Sequence, residues 1–213
     1  KGKGSGLLLD PDGLERFLDG IFADPPLAIS LKTRLGVAEA AEFPRLLEIY
    51  NQYPVKLLII HPRVRKAFYD GPVDMDAFAC ALENSKNSLC FNGNLCSRED
   101  VQRFAERYQS VNSVMLGRGL IGAPGMFAPN GTTPAALEAF CDELLDSYTS
   151  LFGGARNAMF RLKENWRYLI RLFEEAERPG KQLRKTTDAA QYRSLTHEII
   201  RSCPMRENLT PDW

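Results

Sequence analysis

Val55-Lys56-Leu57-Leu58-Ile59-Ile60-His61 decides the fold: an aliphatic run broken only by Lys56 leads directly into a histidine. A nearly continuous apolar run of this length suits a strand buried on both faces, as in a parallel sheet covered by helices. Three more runs behave alike, at intervals of roughly 25 to 30 residues. Leu27-Ala28-Ile29-Ser30-Leu31 precedes Lys32, Ser88-Leu89-Cys90-Phe91 precedes Asn92, and Ser113-Val114-Met115-Leu116 precedes Gly117-Arg118.

Segments of helix length separate these runs. Between Val37 and Asn51, the residues Phe43, Leu46, Leu47 and Tyr50 fall on one helical face. Ser97 to Tyr108 opens with Ser97-Arg98-Glu99-Asp100, a capping box whose hydroxyl and carboxylate satisfy the first orphan amides. Strand alternating with helix is α/β, and polar residues where apolar strands end are how a barrel delivers chemistry from its strand C-termini. A complete (β/α)8 barrel takes about 250 residues, whereas the alternation here ends near Phe127 with four strands. The expectation is the C-terminal half of a (β/α)8 TIM barrel, its last four βα units, over residues 1–130, followed by an α-helical domain over 131–213. An open flavodoxin-like sheet is the alternative, although such sheets usually have five strands and need their edges covered. Lys1-Gly2-Lys3-Gly4-Ser5-Gly6 starts without methionine and no strand precedes the first helix, so the chain is expected to begin inside a longer protein.

The 213 residues, 44% hydrophobic and 25% charged, can bury a substantial core. No apolar run approaches the roughly 20 residues that span a bilayer, so no membrane partner is expected. Cys80, Cys90, Cys96, Cys141 and Cys203 are odd in number and lack paired metal-ligand spacing, which favours reduced thiols in the cytoplasm over disulfides or zinc.

A net charge of zero hides an asymmetry. Residues 151–213 carry twelve Lys and Arg against eight Asp and Glu, whereas residues 1–150 carry fifteen against nineteen. Lys163, Arg167 and Arg171 recur at successive helical turns, with Leu162, Trp166, Leu169, Ile170 and Phe173 on an adjoining face. Such a helix packs and still presents cations; its partner is a phosphate backbone or simply solvent. Pro124-Gly125 and Pro129-Asn130-Gly131 interrupt the periodicity, and Thr132-Thr133-Pro134 restarts it with a capping hydroxyl and a first-turn proline. Helices are expected over roughly 133–151, 155–177 and 187–202, with Pro204 to Trp213 irregular.

The strand ends suggest the chemistry. Barrels usually hold a nucleotide phosphate in the loops after strands seven and eight, where Asn92-Gly93-Asn94 and Gly117-Arg118-Gly119 would fall. Glycine lets the backbone approach an anion, and Arg118 can add a charge-assisted contact. Lys32 would be costly to bury unless an anion, an acceptor or a neighbouring carboxylate met it. A flavin suits it, because a cation near the ring's pyrimidine edge stabilises the charge gained on reduction. His61 could donate to such a group or bond within the barrel top. Arg63 and Arg65 could reach a polyanionic substrate or remain surface arginines.

Taken together, Ser30-Leu31-Lys32-Thr33-Arg34-Leu35-Gly36, Ile59-Ile60-His61-Pro62-Arg63-Val64-Arg65 with Tyr69-Asp70-Gly71, Phe91-Asn92-Gly93-Asn94 and Val114-Met115-Leu116-Gly117-Arg118-Gly119 resemble the flavin-dependent tRNA-dihydrouridine synthases. The resemblance covers residues 1 to about 128, and the helical tail is more loosely similar to that family's RNA-binding domain. It implies FMN contacts at Lys32 and His61 and an FMN-phosphate site at Asn92, Gly93, Asn94, Gly117 and Arg118. Arg63, Arg65, Lys163, Arg167 and Arg171 are then the candidates for tRNA binding. Asn94 replaces the usual acidic residue, and Pro62 a frequent glycine. The family's proton-donating cysteine, in an Asn-x-x-Cys-Pro segment, is expected just upstream of Lys1, together with the missing N-terminal half of the barrel.

The implied reaction reduces FMN with NADPH and passes hydride from the flavin to C6 of a tRNA uracil turned outward into the barrel mouth, the cysteine protonating C5. On this reading the chain is inactive alone and the intact protein is a monomer. Two rivals remain at this point: a small-molecule FMN oxidoreductase on the same barrel, and a non-catalytic RNA-binding fragment.

Overall fold

The computed structural model describes residues 2–210. It is an α/β protein in which four parallel strands form one sheet: β1 (Ser30–Arg34), β2 (Leu57–His61), β3 (Leu89–Asn92) and β4 (Val114–Met115). Their order in the sheet is their order in the chain, β1-β2-β3-β4. That sequential order is the one a barrel wall has, and it differs from the flavodoxin-like order, in which the chain reverses direction at a switch point.

Helices occupy the connections: α1 (Pro11–Phe22) before β1, then α2 (Phe43–Tyr50), α3 (Met75–Asn84) and α4 (Arg98–Arg107) between successive strands. Contacts divide the described residues into two compact units, those up to 94 with 101–115, and 95–100 with those from 116 onward. Residues 116–130, which the sequence grouped with the strands, therefore pack in the second unit.

In the first unit the sheet's two faces are chemically distinct. Side chains alternate along a strand, and register partners in a parallel sheet share a face. Thr33, Ile60, Phe91 and Val114 are linked by register and point toward the helices. Tyr50 of α2 reaches Thr33 with its hydroxyl at 2.9 Å. Phe91 stacks on Phe104 at 4.4 Å and meets Phe78 edge-on at 5.0 Å. Such pairs add about 0.5–1.5 kcal/mol beyond simple burial, and they fix α3 and α4 on the sheet. The expected face of α2 is confirmed: Phe43, Leu46, Leu47 and Tyr50 are all buried.

Most other local expectations hold. Ser97 Oγ accepts from the Asp100 amide at 3.0 Å, and the Asp100 carboxylate accepts from the Ser97 amide at 3.0 Å, completing the capping box. Thr133 caps α6 (Pro134–Leu151) by accepting from the Ala136 amide. The second unit also contains α5 (Arg118–Gly122), α7 (Ala155–Leu169), α8 (Glu177–Lys185) and α9 (Ala189–Ser202). Leu137, Leu162, Trp166, Leu183, Tyr192 and Ile199 are among its core residues.

Two boundaries differ from expectation. β1 begins at Ser30 rather than Leu27, so Lys32 lies inside the strand and not after it. The helix expected over 155–177 stops earlier, passing through a short 3-10 turn at Ile170–Leu172. Phe173 is extended there and bridges antiparallel to Met205, while the Glu174 amide donates to the Pro204 carbonyl at 2.8 Å. Contacts with residues far along the chain therefore end the helix, and local periodicity does not carry that information.

Candidate active site

The face of the sheet opposite Thr33 and Phe91 carries the polar side chains. Lys32 and Arg34 point there from β1, His61 from β2, and Asn92 from β3. Lys32 lies in a row with Ile59 and Cys90, and Arg34 lies beside His61. Lys32 is exposed, yet desolvation by the sheet, and secondarily the charge of Arg34, hold its ammonium pKa below the usual lysine range. The carboxylate partner weighed from sequence is missing: among the described residues Lys32 forms no ion pair.

His61 is almost completely buried at 3% exposure. Behind it the backbone makes a tight turn, the Arg63 amide donating to the His61 carbonyl at 2.7 Å across Pro62. Proline's fixed φ near −65° suits the centre of an inverse γ-turn, so the residue that departs from the expected glycine fits this loop. The turn brings Arg63 back beside His61, where Nη1 lies 3.1 Å from Nε2. Arg63 Nη2 donates to Asn94 Oδ1 at 3.2 Å and to the Gly71 carbonyl. Arg63 is itself only 3% exposed, so it is a component of the site's frame, whereas Arg65 is exposed.

Arg34, outside the candidates read from sequence, acts on the same loop from β1. Its guanidinium donates to the carbonyls of Val64 at 2.9 Å and Phe68 at 2.7 Å, and lies over the Tyr69 ring at 5.5 Å. Tyr69 in turn lies 5.9 Å from the His61 ring. The signal for Arg34 was its spacing, two residues after Lys32 on a strand and hence on the same face.

Asn92 Nδ2 donates to the Met115 carbonyl at 2.7 Å, joining β3 to β4. Asn94 adopts a left-handed φ of 48°, a region where Asn is enriched among non-glycine residues. Gly93 is buried, and a Cβ there would come within 2.7 Å of Val73 Cγ1 and 3.7 Å of His61 Cδ2. The first unit thus brings together Lys32, His61, Arg63 and Asn92-Gly93-Asn94.

Gly117 and Arg118 open α5 in the second unit. A Cβ on Gly117 would meet nothing within 4 Å, so its backbone is open to approach. Gly119 differs, since a Cβ there would lie 2.4 Å from the Leu95 carbonyl oxygen and 2.9 Å from Cys96 Cα.

Also in the second unit, Lys163, Arg167 and Arg171 line a cleft of about 460 Å³ with Arg184 and Arg206. Among the described lining residues, five cations accompany one acidic residue, Glu177. Lys163 donates to the Thr186 carbonyl, and desolvation lowers its pKa. Arg184 and Arg206 were not singled out from sequence, because they join the cleft from α8 and from the segment after α9. The five cysteines are free thiols, and burial pushes that of Cys141 up to about 12, far from a nucleophilic range. No helix among the described residues is long and apolar enough to cross a membrane.

The sequence that builds this site has named relatives. A family profile described as "Dihydrouridine synthase (Dus)" matches residues 1–200, and the chain belongs to that family. A "Probable tRNA-dihydrouridine synthase" of Staphylococcus aureus is 29% identical over 93% of this chain and 62% of its own length. A protein of the same description from Rhizobium leguminosarum is 31% identical over 57% of this chain and 38% of its own. The "tRNA-dihydrouridine synthase B" of Pasteurella multocida is 27% identical, over 58% and 37% respectively. The chain thus spans about 62% of the length of the Staphylococcus aureus relative.

Proposed function

We propose that these residues form one wall of the active site of a tRNA-dihydrouridine synthase, within the C-terminal half of a TIM barrel followed by a tRNA-binding helical domain. The observation that carries this reading is the segregation of the sheet's faces. Aromatic and aliphatic side chains meet the helices, while Lys32, His61 and Asn92 share the opposite face.

FMN fits this donor set. Lys32 offers a cation without a carboxylate partner, and His61 offers a ring fixed by its neighbours. The open backbone at Gly117 and the adjacent Arg118 suit a phosphate. When bound and reduced by NADPH, FMN would supply the hydride for C6 of the uracil, a separate acid supplying the proton for C5. Lys32 would bind the electron-rich edge of the cofactor, and its lowered pKa means that the folded protein already strains its charge. An anionic partner would relieve that strain. His61 would orient the cofactor or the uracil; Asn92, Gly93 and Asn94 in the first unit, and Gly117 and Arg118 in the second, are the phosphate contacts that the family resemblance implies. Lys163, Arg167 and Arg171 would hold tRNA phosphates, and exposed Arg65 could add a contact nearer the sheet. The sequence contains no Asn-x-x-Cys-Pro segment, so none of its cysteines matches the proton donor that the resemblance implies.

The test is the visible spectrum of the protein expressed from its own gene. A flavin absorption band that NADPH bleaches is expected; a colourless protein that does not take up added FMN would refute the reading.

A further inference from the structure

We propose that Arg63 is a positioning residue, which holds His61 in its Nδ1–H tautomer and ties it to the loop carrying Asn94. What His61 then contributes to catalysis rests on the flavin-site reading; the tautomer does not.

The geometry carries the argument. Arg63 is 3% exposed, and its guanidinium spans three acceptors from three segments: His61 Nε2 at 3.1 Å, Asn94 Oδ1 at 3.2 Å and the Gly71 carbonyl. A guanidinium only donates, and it keeps its protons at any ordinary pH. Nε2 must therefore accept, which makes the ring neutral and leaves its single proton on Nδ1. The hydrogen bond to one ring nitrogen thus decides what the other can do, namely donate.

Both acceptor loops have further contacts besides this arginine. Gly71 lies in the segment that Arg34 also holds through Val64 and Phe68, and Asn94 follows Gly93, whose backbone packs close to Val73 and the His61 ring. The planar fork can reach divergent acceptors in a way a lysine ammonium cannot. These partners replace water at both Nη atoms of the buried guanidinium. Arg63 therefore acts through His61 and Asn94, whereas the sequence had suggested direct contact with a polyanion.

The tautomer can be read directly. The chain contains only two histidines, so a His197→Gln variant assigns the imidazole signals of the ¹⁵N-labelled protein without ambiguity. Two-bond proton–nitrogen correlation, recorded where both rings are neutral, should show His61 protonated at Nδ1 and bare at Nε2. Arg63→Met, which removes every donor from this position, should convert that pattern to a tautomer mixture. A His61 protonated at Nε2 in the unsubstituted protein overturns the proposal, as does an unchanged Nδ1–H pattern in a folded R63M variant. If R63M does not fold, the spectrum of the unsubstituted protein still decides.

In the protein expressed from its own gene, R63K should lower kcat on the order of tenfold to a hundredfold, as misplacement of an aligned group does, with KM for tRNA changed less than about twofold. A rise in KM alone would place Arg63 in direct contact with tRNA and overturn the positioning role. An Nδ1–H tautomer in a protein that neither binds flavin nor reduces uridine would sink the functional reading and leave the positioning role standing.

Discussion

Arg34 and His61 lie side by side in the register of β1 and β2, and Tyr69 contacts both, its ring 5.5 Å from the guanidinium and 5.9 Å from the imidazole. Arg34 is thus a fastening between strand and loop. Replacing it with Met removes two donors to loop carbonyls and the cation–π contact together. Limited proteolysis of R34M should cut between residues 64 and 72 sooner than in the unsubstituted protein, and the stability loss should be about 1–3 kcal/mol. Unchanged cleavage would mean that the loop is held by other contacts.

Lys32 gives a pH-dependent prediction. Its folded-state pKa is lowered, chiefly by desolvation, so over the window between its folded and unfolded pKa values the unfolded chain binds more protons. Stability should therefore rise as pH climbs through that alkaline window, and this increment should be absent in K32M. Because Lys32 is exposed, K32M should alter stability near neutral pH by only about 0.5 kcal/mol, within the range of surface substitutions, while removing any activity that depends on the cation. Urea titrations at several pH values check the first claim.

Thr33, one residue along the same strand, tests the opposite face. The Tyr50 hydroxyl lies buried 2.9 Å from Thr33 Oγ1, and burial raises its pKa to about 12. Thr33→Val would leave that hydroxyl buried without this partner and should cost about 1–3 kcal/mol. Thr33 Oγ1 also donates to the Arg34 carbonyl at 2.9 Å, so Tyr50→Phe leaves it satisfied and should cost less. Equal costs in the two variants would contradict the arrangement.

Two glycines in one motif should respond differently. Gly119→Ala drives a methyl into the backbone of Leu95 and Cys96 and should cost about 1–3 kcal/mol. Gly117→Ala meets nothing within 4 Å, so it should cost less than G119A while obstructing an anion at that backbone. Thermal unfolding separates the two.

Strand existence, the capping box and the amphipathic face of α2 were legible in the sequence because each depends on neighbours within a few residues. So was the grouping of Lys32, His61 and Asn92, since each ends or interrupts an apolar run. The role of Arg63 was not, because only the γ-turn across Pro62 and the distant Asn94 and Gly71 acceptors make it a buried fork. Arg184 and Arg206 were missed for a similar reason: they meet Lys163, Arg167 and Arg171 only once α8 and the segment after α9 have packed.

That cleft predicts salt-sensitive RNA binding. Neutralising Arg167, Arg171 and Arg184 to Gln should weaken tRNA affinity and flatten the slope of log affinity against log salt by about 0.9 for each lost phosphate contact. An unchanged slope would assign these cations to solvent.

The central claim, that the polar face of the sheet reduces uridine in tRNA, is tested most directly by mass spectrometry of tRNA. The RNA should be incubated with NADPH and either the protein expressed from its own gene or its K32M variant. Dihydrouridine formed by the unsubstituted protein and lost with K32M is the predicted result. Undiminished dihydrouridine formation by K32M, or none from the flavin-loaded unsubstituted protein, would contradict it.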